Sequence, residues 1–114
     1  MPLNDTLLNI GANAMAAAAT HISLATANPE PSGANQATSA RVAASWPAAS
    51  TGDLIISNKA FTGGAANGPV THVCFWSASS GGTFYGSVAL TGDTTFNSAG
   101  EYTITSLAVN GSST

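Results

Sequence analysis

The chain has 114 residues, of which only seven are charged: Asp5, Glu30, Arg41, Asp53, Lys59, Asp93 and Glu101. That is 6% of the chain, against about 25% in an ordinary soluble domain. Two basic residues and a net charge of −3 cannot neutralise a run of phosphates, which excludes nucleic-acid binding by a basic surface. Solvation falls instead to 14 Ser, 14 Thr and 9 Asn. Alanines make up 22 of the apolar residues, so large apolar side chains are scarce.

The length suits one domain, divided into a helix (4–19), a β-sandwich (20–110) and a short polar tail (111–114). Asn4 is the expected N-cap, and Asp5 meets the positive end of the helix dipole in the first turn. Leu8, Ala12, Met15 and Ala19 recur at helical spacing and predict one apolar stripe. At Thr20 the period changes to two. His21 to Ala27 alternates as a strand, with Ile22 and Leu24 on its buried face. Asn28-Pro29-Glu30-Pro31-Ser32-Gly33 ends it and opens a long polar loop over 28–39. Loops of that length carry function or make contacts.

Arg41 to Trp46, closed by Pro47, is a second expected strand, and Asp53 to Phe61 a third. Gly63, Gly64 and Gly68 lack the lysine and following helix of a phosphate loop. Residues 70 to 90 read as a β-hairpin turning at Ser79-Ser80-Gly81-Gly82. Gly92-Asp93 is a turn, Thr94 to Phe96 a short strand, and Glu101 to Val109 the last strand. Its alternation slips between Ile104 and Leu107, which predicts a bulge near Ser106. The sum is an all-β chain with one N-terminal helix: an antiparallel sandwich or small barrel of about seven strands, with turns roughly every 8 to 12 residues. Thr20-His21-Ile22-Ser23-Leu24-Ala25-Thr26-Ala27 echoes Thr71-His72-Val73-Cys74-Phe75-Trp76-Ser77-Ala78, so these two strands are expected to be equivalent and adjacent.

The residues that could carry chemistry are few. Cys74 is the only cysteine and reads as a small buried hydrophobe. His21, His72 and Cys74 fall short of a zinc ligand set, and no metal or cofactor is expected. No Gly-x-Ser-x-Gly elbow exists. The carboxylates Asp53, Asp93 and Glu101 stand beside turn residues, which speaks against a glycosidase pair. No enzymatic activity is expected. No apolar run reaches the roughly 20 residues that cross a bilayer, and the N-terminus lacks the basic leader of a signal peptide. Trp76 and Tyr85 fall opposite Phe75 and Phe84 and are the aromatics expected to be exposed. With Leu7, Leu8 and Met15 of the helix they are the interface candidates, the helix serving as a lid on the sandwich or as an anchor to a partner. A surface with little charge offers little repulsion between copies, so homo-oligomers are expected.

The runs Ala19 to Pro29, Ser32-Gly33-Ala34-Asn35 and Val70 to Gly86 resemble a family of small virion proteins from phages of actinobacteria, often labelled tail-fibre proteins. The resemblance covers nearly the whole chain. It implies a structural role in the virion, after synthesis in the host cytoplasm, with the major capsid protein or other virion proteins as partners. A fibre needs a shaft of repeats or coiled coil, and this chain has neither. A capsid decoration or minor capsid subunit is therefore the expectation. A tail-fibre or tail-associated subunit and a carbohydrate-binding module using Trp76 and Tyr85 are the alternatives.

Overall fold

The computed structural model describes residues 4–46, 53–92 and 94–110. Pro47, Asp93 and the 111–114 tail, each used above, lie outside them. One helix and six strands form among the described residues: α1 (Asp5–Ala18), β1 (His21–Ala25), β2 (Val42–Ala43), β3 (Asp53–Phe61), β4 (His72–Trp76), β5 (Phe84–Ala89) and β6 (Tyr102–Asn110). The expected mostly-β chain behind one N-terminal helix is what the structure shows.

The helix starts where the sequence places it. The Asn4 side-chain oxygen accepts from the Leu7 N–H at 3.0 Å, satisfying one of the free donors of the first turn. At the other end the Ala19 N–H donates to the Met15 carbonyl at 2.8 Å.

All strand pairs are antiparallel and fall into two sheets, one ordered β2-β1-β4-β5 and the other β3-β6. The sheets do not close into a barrel. They share one apolar cluster, in which Ile22, Leu24, Val73 and Phe75 of the larger sheet meet Ile56, Phe61, Tyr102 and Ile104 of the smaller. Such burial is worth roughly 1.5–3 kcal/mol for each large apolar side chain. β4 and β5 pair as the expected hairpin.

Exchanging β1, β2 and β3 for β4, β5 and β6 leaves both strand orders unchanged. The echo between Thr20–Ala27 and Thr71–Ala78 is therefore the sequence trace of an approximate internal two-fold. β1 and β4 lie side by side as expected, centred on the Ser23–Cys74 pair. At each end of this pair a threonine hydroxyl bonds the Nδ1 of the next residue's imidazole, Thr20 with His21 at 2.9 Å and Thr71 with His72 at 2.8 Å. The same hydroxyls reach across the sheet to carbonyls of the neighbouring strand's end, Ser77 at 3.0 Å and Ala25 at 3.4 Å.

Three expectations need correction. The second strand shrinks to Val42–Ala43, because Ser45 takes a left-handed φ of 50° that leaves the ladder. Thr94 to Phe96 makes only an isolated bridge between Thr95 and Pro69. The proline facing it has no N–H with which to extend a ladder. The slip in the last strand is real but is not a bulge. Tyr102 and Ile104 are buried, Thr105 and Ser106 both face out, and Leu107 is half-buried. The partner strand changes face at the same level: Leu54 and Ile56 are buried, Ser57 and Asn58 face out, and Phe61 is buried. Asn58, at φ 55°, stands opposite Thr105. The pairs Ser57–Ser106 and Lys59–Ile104 on either side keep one register, so no extra residue is inserted.

Phe61 is fully buried between the sheets. Replacing it by alanine should cost about 3–5 kcal/mol, the range for large aromatic truncations in a packed core. Urea unfolding should show this as a lower midpoint at an unchanged slope.

Candidate functional site

The helix packs chiefly through its small residues and, Leu8 apart, presents its large ones to solvent. Ala12 and Ala19 are buried, and Leu8 and Ala16 are half-buried against the body. Leu7, Ile10 and Met15 are 49%, 62% and 51% exposed. Met15 was expected in the buried stripe. Ala16 takes that place, four residues after Ala12 and three before Ala19, and Met15 turns to the stripe's edge. Alanines on the packed side let α1 approach β3 closely, and the longer side chains are left on the outside.

Beside that packed stripe lies an open apolar groove of about 460 Å³. Gly11, Ala14, Met15 and Ala18 form the helix wall, and Trp46, Phe75 and Tyr85 the opposite wall. Leu7 continues the helix wall one turn before Gly11. Trp46 is held at the base. Its ring stacks on Phe75 at 5.9 Å, and its Nε1 donates to the Ala19 carbonyl at 2.7 Å, one of the acceptors a helix C-terminus leaves free. Tyr85, on β5, is 52% exposed at the mouth. Among the described residues, none that lines the groove is charged.

Trp76 does not belong to this surface, contrary to expectation. It is 8% exposed, because the long loop after β1 folds back over the outer face of the larger sheet. Gly33 sits so close that a Cβ there would lie 2.6 Å from the indole. The Arg41 guanidinium lies 3.7 Å above the ring centroid, and its Nη1 donates to the carbonyls of Ala78 and Gly81 at 2.8 Å each. The Trp76 Nε1 donates to Ser23 Oγ at 2.8 Å, and Ser23 Oγ in turn donates to Gln36 Oε1. At the far edge Ser87 Oγ donates to the Glu30 carboxylate at 2.7 Å. The loop is a lid tied at Gln36, Arg41 and Glu30, and it removes Trp76 from any sugar-stacking platform.

Under this lid Cys74 is buried as expected. Desolvation pushes its thiol pKa up, although Gln36 Nε2 donates to the sulfur at 3.3 Å. His21 is opposite Trp76, and His72 opposite Ala25, so the two imidazoles stand at opposite ends of the strand pair. No group of three His, Cys, Asp or Glu that could hold a metal occurs among the described residues. Glu101 takes part in a turn: its carboxylate accepts from Asn97 Nδ2 at 3.2 Å and its N–H donates to Asn97 Oδ1 at 2.9 Å.

Two outcomes are expected from the lid. Gly33→Ala collides with the indole at a φ of 79°. It should destabilise the chain by more than about 1 kcal/mol, with Trp76 emission shifting red and becoming open to acrylamide quenching. The thiol's raised pKa means that the unfolded chain ionises first as pH rises. Stability should therefore fall as pH climbs past the ordinary thiol range, and Cys74→Ser should remove that part of the slope in alkaline melts.

The comparisons with known proteins agree with a structural reading. A family model described as "Podophage GP4 fiber I protein gp80" matches residues 3–112. Neither the curated proteins nor the solved structures compared with the chain gave a match. The family's description is of a fibre and a podophage; it lends no support to the expected actinobacterial source or to capsid decoration. With a match running almost from end to end over a helix-capped pair of antiparallel sheets, the chain belongs to this family of phage fibre proteins, components of the virion.

Proposed function

We propose that this chain is a non-enzymatic structural subunit of a phage tail fibre, folded as a single domain, which binds other virion proteins and copies of itself through apolar contact. The observation that carries the reading is the orientation of α1. Leu7, Ile10 and Met15 face away from the body, and Met15 borders a groove whose described lining residues carry no charge. An exposed apolar face of this kind marks a surface meant to be covered. Leu7, Met15 and Tyr85 are the residues assigned to that contact. Leu8, on the packed side, serves the lid role instead. Trp76, sealed under its own loop, has no part in it.

The fibre reading takes precedence over capsid decoration for two reasons. The family is described as a fibre protein, and the fold is elongated, 46 Å long against 27 and 22 Å across. A subunit need not contain a shaft of its own, because association of subunits supplies the length of a fibre. Nucleic acid remains an unsuitable partner for an acidic surface with two basic residues.

The test is incorporation. Met15→Glu and Tyr85→Asp change exposed positions and should leave the purified protein folded, with an unchanged circular dichroism spectrum and melting temperature. Phages carrying either change should lose the protein from purified particles, or hold it at under about a tenth of the normal amount, an effect of roughly 1.4 kcal/mol or more. Full incorporation of both variants would overturn the assignment of this surface. Copy number in intact particles separates the locations, since a fibre subunit is present in few copies and a decoration subunit in very many.

A further inference from the structure

We infer that the outer edge of β6 is a pairing edge for the β6 strand of a second copy, joined antiparallel about a two-fold axis at the Thr105–Ser106 step. The inference rests on the self-association reading above and gives it a surface and a register.

The two halves of the fold are related by the internal two-fold, but their outer strands are treated differently. β3 is packed against by both α1 and β2, and it carries Lys59. β6 pairs only with β3 among the described strands. Its nine residues, Tyr102–Asn110, contain no charge and no proline. Free sheet edges in monomeric proteins are guarded by lysines, prolines, bulges or a covering element, because an unguarded edge is a template for another strand. β6 lacks the charge, the proline and the bulge, while its former equivalent β3 has both a lysine and a cover.

The pattern of β6 also selects its partner. Tyr102-Thr103-Ile104-Thr105-Ser106-Leu107-Ala108-Val109 reads large, small, large, small, small, large, small, large in either direction. The change of face between Ile104 and Leu107 sits at the centre of this palindrome. An ordinary strand cannot pair with its own copy about a point between two residues without opposing an inward side chain to an outward one, since its faces strictly alternate. This strand can, because Thr105 and Ser106 both face out. Ile104 then stands opposite the copy's Leu107, and Thr105 opposite its Ser106. The ribbon β3-β6 already uses the equivalent arrangement within one chain, with Ile56 opposite Leu107 and Leu54 opposite Val109. A two-fold interface brings the same patch of both copies together, and here no charge is set against its like.

The experiment is sedimentation equilibrium of the full chain and of exposed-face variants. The wild-type protein should sediment at twice its 11.2 kDa mass, or at a multiple of that dimer. Thr105→Lys and Ser106→Glu, made separately, place like charges beside the axis and should each weaken dimerisation by about tenfold or more. Mixing the two variants should restore the dimer as a heterodimer, since the new lysine of one chain then faces the new glutamate of the other. Should Thr105→Lys fail to fold by circular dichroism, Ser106→Lys beside the same axis serves in its place, with Thr105→Glu as the complementary partner. A wild-type chain that stays monomeric at every concentration overturns both this edge and the self-association reading. An oligomer untouched by the charge variants, or variants that do not recover on mixing, overturns the edge alone.

Discussion

β1 and β4 lie side by side at the centre of the larger sheet, and four of the five residues in each are buried. A strand covered on only one face alternates buried and exposed side chains; these two do not, so both of their faces must be covered by something else in the chain. The inner face is covered by β3 and β6 through Ile56, Phe61, Tyr102 and Ile104. The outer face is covered by the 26–41 loop through Gly33, Gln36 and Arg41. Their backbone groups are met by each other and by β2 and β5, as a doubly buried strand requires. With few large apolar residues to spend, the chain concentrates them here, and the rest of the architecture is arranged to keep water from this pair.

The scarcity of charge shapes how that is done. Arg41 and Glu30, two of only seven charged residues, hold the lid. Arg41 stacks on Trp76 and bonds two carbonyls, and Glu30 accepts from Ser87. Neither makes an ion pair in these contacts. A cation over an indole and a carboxylate on a hydroxyl are interactions that keep part of their value when partly desolvated. Many of the other exposed positions among the described residues are Thr, Ser, Asn or Ala, side chains that cost less to desolvate than charged ones.

The internal two-fold accounts for features that look unrelated along the chain. The two Thr-His steps are equivalent, and so are the face changes in β3 and β6. Where the symmetry fails is informative: α1 packs against β3, and among the described elements β6 pairs with β3 alone. The asymmetry goes with an apolar groove beside α1 and a strand, β6, that has a single neighbour among the described elements. A two-fold surface closes after a dimer, so a subunit that extends an assembly needs a second, distinct surface.

Much of this fold was legible in particular residues. Asn4 marked the helix start, Thr20 the change of period, and Ser79 to Gly82 the hairpin turn, because capping and turn chemistry act within a few residues and leave their mark in local order. The repeated Thr-His step located the paired central strands for the same reason. The tertiary structure alone decided that Trp76 is sealed while Tyr85 is open, that Met15 yields its place to Ala16, and that Pro69 holds the 94–96 segment to a single bridge. Periodicity reports which side chains share a face. What covers that face is settled by residues far off in sequence, as Gly33 and Arg41 are from Trp76, and their meeting depends on the packing of the whole chain.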